Sequence, residues 1–166
     1  MKRIIMLSTL AATMAVMLAL AGSAFAANPE RATFHAEGTD FIADCGDFDV
    51  LTDFVADFDE ITYLDSAGKP DYSRVHFAFN DFFYNSETGE GFAETNTGTA
   101  VVDQPSGNEI SASGLSYHVT VPGEGVVLLQ AGRLEFDEDG NVVFVAGPHQ
   151  VLRRETQKLC EALAGS

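Results

Sequence analysis

From residue 50 onward, Phe, Val, Tyr and Thr alternate with Asp, Asn, Gly and other polar positions in runs of similar length. Each run ends on a cluster of turn-forming residues: DSAGKP at 65–70, NSETGE at 85–90, DQPSGN at 103–108, PGEG at 122–125 and DEDGN at 137–141. Alternation with period two marks a strand with one buried side, and Gly, Asn and Asp supply the backbone angles that hairpin turns require. The runs 50–64, 72–84, 91–102, 109–121, 126–136 and 142–151 are therefore expected as six long antiparallel strands in a meander, with 32–42 adding a seventh. The tail LRRETQKLCEALAG changes period: Leu152, Thr156, Leu159, Cys160 and Leu163 fall on one helical face, and Gly165 stops a short C-terminal helix.

Turns also set register, because opposed residues in a hairpin are equidistant from its loop. A four-residue PGEG loop pairs Val121 with Val126, Val119 with Leu128, Tyr117 with Gln130 and Leu115 with Gly132; a five-residue DEDGN loop pairs Phe136 with Val142 and Leu134 with Phe144. Extending through the earlier turns sets Phe92 beside Phe83 and Val119, Glu94 beside Asp81 and Tyr117, Asn96 beside Phe79 and Leu115, and Gly98 beside Phe77. Phe58 and Phe54 then face Phe77 and Asp81. One side of the sheet collects Phe54, Phe58, Phe77, Phe79, Phe83, Phe92, Val119, Leu128, Leu134, Phe136 and Phe144, which is the expected core.

A meander of six to eight strands burying one Phe-rich side is expected to close as an up-and-down barrel, with a two-sheet sandwich as the alternative. The other face is Thr-rich at Thr95, Thr97 and Thr99 but apolar at Val127, Leu129, Val143 and Val145. The C-terminal helix or a second copy of the chain is expected to cover those four. A polar, acidic outer face does not suit a membrane barrel, which needs an apolar belt on every strand.

The same register brings Asp81, Glu94, Tyr117 and Gln130 together on the apolar side. Adjacent carboxylates in a poorly solvated place cannot both ionise easily, so one should hold its proton to higher pH. Together with Phe79, Phe83 and Phe92 they form the candidate ligand site, an apolar hollow with a few convergent polar groups. His35, His76, His118 and His149 are spread over different strands and heights, which disfavours a shared metal site. The acidic run at 44–65 and the DEDGN turn lack calcium-loop spacing, and no nucleophile elbow or phosphate-cradling glycine loop occurs. No cofactor is expected.

Residues 1–26 combine Lys2 and Arg3, an apolar stretch from Ile4 to Leu20, and the small-residue exit Ala24-Phe25-Ala26, the pattern of a secretory signal peptide cut before Ala27. Residues 27–166 are expected as a single exported, extracellular domain without stable membrane insertion. Loss of Lys2 and Arg3 from nine basic residues leaves seven against 25 acidic ones, a net charge of −18. Such a surface repels phosphate backbones, so nucleic acid is not an expected partner. Cys45 and Cys160, in an exported chain without CxxC spacing, are expected to form a disulfide.

The segments CGDFDV (45–50), VPGEGVVLLQAGRLEFDEDGNVVF (121–144) and LCEALA (159–164) resemble a group of uncharacterised secreted bacterial β-rich proteins of actinobacterial type, with an early Cys-Gly and a terminal Cys-x-x-Leu-Ala. The resemblance implies export and the terminal disulfide, and no chemistry. Three functions remain open: binding of a small, largely apolar ligand in the Phe-lined interior; a cyclase or isomerase using Asp81 and Glu94, in a barrel similar in outline to allene oxide cyclase and dirigent proteins; or a filled-core extracellular interaction or structural protein.

Overall fold

Alternating strands joined by tight turns produce a single antiparallel sheet in chain order: β1 (Glu30–Asp44), β2 (Asp49–Leu64), β3 (Pro70–Asn85), β4 (Gly91–Asp103), β5 (Glu109–Val121), β6 (Gly125–Phe136) and β7 (Val142–Ala146). A short helix, α1 (Gln157–Ala164), follows. The computed structural model describes residues 28–165; the expected signal peptide at 1–26 lies outside the described residues. Among the described residues, no helix is long and apolar enough to cross a membrane.

The turns act as their residue types demand. In the first, the Asp65 carboxylate accepts the amides of Ala67 (2.8 Å) and Lys69 (2.9 Å), and this fixes the β2–β3 register. Phe58 then faces Phe77, Phe54 faces Asp81, Asp81 faces Glu94, and Phe83 faces Phe92, as the hairpin geometry implied. Tyr117 faces Gln130 and Val119 faces Leu128.

Register departs from expectation where a strand carries one extra residue. Between Leu115 and Tyr117 the β5–β6 ladder shifts, so Leu115 opposes Ala131 and Thr97 rather than Gly132 and Asn96. Ser116 is the inserted residue, and it returns Tyr117 to the apolar face. A second shift pairs Thr120 with Val126 and Val121 with Gly125, and a third pairs Leu134 with Val145 and Glu135 with Phe144. The Val121–Val126 and Leu134–Phe144 pairs therefore do not form, and Phe144, 47% exposed, is not a core residue.

The sheet is open, which corrects both the barrel and the sandwich. β1 and β7 are its edges and are not paired with each other. The physical reason lies in β7, which stops after five residues instead of running to 151. Gly147 takes φ 97° and Pro148 offers no amide, so the chain turns, and residues 148–150 bond back to β6 through Ala131 N to Pro148 O (2.7 Å) and Gln150 N to Leu129 O (3.3 Å). No strand long enough to meet β1 remains.

Curvature comes from a row of glycines across β4, β5 and β6, beside Phe77 on β3. Phe77, Gly98, Gly114 and Gly132 oppose one another in sequence across β3 to β6. A Cβ on Gly98 would collide with the Phe77 ring, and one on Gly114, at φ 129°, would lie 2.5 Å from the Gly98 Cα. Without side chains at these points, the strands approach closely and the sheet bends toward the face that carries Phe77.

One end of that concave face is plugged. Leu159, Ala162 and Leu163 of α1 pack against Val50, Phe83, Val119, Val127 and Leu128. Each fully buried aliphatic side chain contributes about 2 kcal/mol. Cys160 bonds to Cys45 with Cα atoms 5.6 Å apart, so the helix is tied to the β1–β2 connection, and the Asn85 side-chain amide donates to the Leu163 carbonyl at 3.3 Å. The helix thus covers the Phe-rich face rather than the outer strip at Val127, Leu129, Val143 and Val145. Val127 is buried because it is the extra residue of the β6 shift, whereas Val143 is 62% exposed.

Candidate functional site

Above the plug, the concave face encloses a partly open hollow of about 390 Å³, lined by residues from β1 through β6. Its wall is aromatic. Phe79 is the hub, with ring centroids 5.7 Å from Phe54, 5.7 Å from Phe58 and 5.6 Å from Phe77, and Phe34 stacks on Phe58 at 4.7 Å. Edge-to-face and offset contacts of this kind hold rings in defined orientations.

The polar groups gather beside that wall. Asp81 (4% exposed) and Asn96 (3% exposed) are hydrogen bonded, with the Asn96 amide donating to the carboxylate. The β4–β5 ladder ends at Thr97–Leu115. Past that point Glu94 substitutes its side chain for the missing backbone acceptor, taking the His118 amide at 3.0 Å, and Asn96 also reaches it at 3.4 Å. Tyr117 stands edge-on to Phe83, centroids 5.2 Å apart. Gln130, opposite Tyr117, accepts the Leu152 amide at 3.4 Å. Thr52 is 1% exposed and lines the hollow, yet its Oγ1 meets no partner among the described residues.

Burial sets the electrostatics. Desolvation raises the Asp81 carboxyl from 3.8 to about 6; the Glu94 and Asp40 charges add to the rise, and the Asn96 hydrogen bond opposes it. Glu94 is also raised by burial, against the pull of its His118 and Asn96 hydrogen bonds. Tyr117 is pushed up to about 12, chiefly by burial and then by the charges of Asp81, Asp40 and Glu94. Glu109, further along the lining, is raised by burial.

Of the residues singled out from the sequence, Asp81, Tyr117, Gln130 and Phe79 line the hollow. Glu94 touches it through Asn96 rather than directly. Phe83 and Phe92 lie lower, in the cluster beneath α1. Sequence reasoning missed Thr52, Asn96 and Asp40. Strand parity carried the signal for two of them, since Asn96 is two residues from Glu94 and Thr52 two from Phe54. Asp40 needed the β1–β2 register, in which it faces Thr52.

A larger hollow of about 590 Å³ lies on the outer face among Asp59, Tyr63, Arg74, His76 and Thr99. Exposed polar and charged residues dominate it, and it has no aromatic enclosure, so the concave hollow is the better candidate despite its smaller volume. His118 points outward opposite Leu129, and His35 meets Asp57 at 2.9 Å on the exposed side. His149 is buried, pairs with Gln130 and bonds Ala146 O through Nε2 at 3.1 Å. Comparison with protein-family models, curated proteins and solved structures finds no match.

Proposed function

We propose that the protein binds a small, largely apolar molecule in the concave hollow, with Asp81, Tyr117, Gln130 and Thr52 anchoring its polar end. The observation that carries this reading is the coincidence of an aromatic hollow with a buried hydroxyl, Thr52 Oγ1, that meets no partner among the described residues. A buried hydroxyl without a partner costs about 1–3 kcal/mol. A ligand that bonds to Thr52 Oγ1 recovers this cost. Protein purified under non-denaturing conditions should bind environment-sensitive apolar dyes, and organic extraction should release a small molecule that native mass spectrometry detects as an adduct. Failure of both dye binding and adduct detection would contradict the reading.

A catalytic role gains support from one feature: the Asp81 carboxyl, raised to about 6 beside Glu94, is suited to give and take a proton near neutrality. Under that reading, an isomerase or cyclase would lose turnover in Asp81→Asn while keeping substrate affinity. Export is part of the same proposal, because the Cys45–Cys160 disulfide fits an oxidising compartment. The protein recovered from culture medium should begin at Ala27 on N-terminal sequencing.

A further inference from the structure

We propose that the ligand of the concave hollow is an organic cation: a protonated amine carried on an apolar body and held between the Phe cage and the Asp40–Asp81 end. This rests on the ligand-binding reading above and narrows its chemical class.

The lining has one sign of charge. Asp40, Asp81 and Glu109 lie on it, and among the described residues no Lys, Arg or His does. Glu94 adds a fourth carboxylate one bond behind Asn96. Around these groups stand five Phe rings and Tyr117, whose faces carry partial negative charge. Aromatic faces combined with carboxylates in a partly desolvated hollow constitute the recognition chemistry of alkylammonium ions. An anionic ligand would meet only repulsion there.

Among the described residues, no cationic side chain lines this end of the hollow. Asp81 is buried, but its hydrogen-bond partner is the neutral Asn96. Thr52 Oγ1, buried beside Asp40 in the β1–β2 register, has no partner and is free to accept from an ammonium N–H. The overall charge of −16 further raises the local concentration of cations.

The groups that face Asp81 are Asp40 from β1, Glu94 from β4 and Tyr117 from β5; Glu109 lies at the far end of the lining, opposite Val102, and His149 lies behind Gln130. With Asp81 titrating near 6, a bound cation stabilises the ionised form, so cation affinity rises with pH across that value and is lost below it.

Isothermal titration of the purified protein with 4-phenylbutylammonium, phenylbutanol and phenylbutyrate separates charge from apolar body. At pH 7.5 the cation should bind about tenfold more tightly than the alcohol, and the carboxylate most weakly. Asp81→Asn should remove most of the preference for the cation over the alcohol. Should that variant fail to fold, the unmodified protein still decides, because its cation preference should shrink between pH 7.5 and pH 5 while alcohol binding holds. Equal or tighter binding of the alcohol or the carboxylate would overturn the cation class and leave the hollow as a ligand site. Binding of none of the three would overturn both readings.

Discussion

Replacing Asp81 with Asn should make the protein more stable at neutral pH, although Asp81 sits at the centre of the candidate site. The folded state raises this carboxyl from 3.8 to about 6, chiefly by desolvation. The folded state therefore holds the proton more tightly than the unfolded chain. The neutral acid contributes its full stability below pH 3.8, and that contribution is lost as pH rises through about 6. A displacement of that size corresponds to about 3 kcal/mol against the charged form. Water reaching the open side of the hollow screens the charge, leaving about 1–2 kcal/mol.

Asn keeps the acceptor that Asn96 uses and carries no charge at any pH. Guanidinium denaturation of both proteins at pH 7.5 should show Asp81→Asn ahead by about 1–2 kcal/mol, a rise of about 3–6 °C in Tm. At pH 3 the two should be nearly equal, because Asp81 is then neutral in the folded state and largely so in the unfolded chain. A loss of stability at pH 7.5, or a gain of the same size at both pH values, would refute the reasoning. The first result would mean that the carboxylate is satisfied where it lies, and the second that its charge is irrelevant.

Other perturbations probe the scaffold. Gly114→Ala forces a side chain onto φ 129°, with its Cβ 2.6 Å from the Thr97 carbonyl oxygen, so it should cost about 2 kcal/mol or more and lower the denaturation midpoint. Replacing both Cys45 and Cys160 by Ser opens a bridge of sequence separation 115 and should lower unfolding free energy by about 4–5 kcal/mol, as measured against the oxidised protein. Leu159→Ala, at a position with no exposure, should cost about 2–5 kcal/mol in equilibrium unfolding and loosen the plug beneath the hollow, with increased hydrogen exchange at Phe83 and Leu128.

Much of the site was legible because turn chemistry is local. Asp65 and its neighbours determine which β2 residue meets which β3 residue, so the Phe54–Asp81–Glu94 line across three strands followed from counting. Counting failed where one inserted residue does not announce itself. Ser116 looks like any polar strand position, yet it moves Leu115 to the outer face while Tyr117 stays inside. The same blindness moved Phe144 out of the core.

Closure was not legible because it depends on whether two edges far apart in sequence meet. The Gly147-Pro148 step that ends β7 reads, in isolation, as a brief interruption of a longer strand. The helix face was misassigned for a related reason. Leu159 and Leu163 specify that one side is buried, while the choice of which sheet face buries it is made by the Cys160–Cys45 tether and by the curl at Gly98 and Gly114.

The central claim is that the concave hollow receives a ligand, and the most direct test is to locate one. Titrating isotope-labelled protein with an apolar ammonium probe and following its NMR spectrum should shift the ring and methyl signals of Phe54, Phe77, Phe79 and Thr52 and the amides beside Asp81. Signals from Tyr63, Arg74 and His76 on the outer face should stay in place. Shifts confined to that outer face, or no saturable shifts anywhere, would contradict the account.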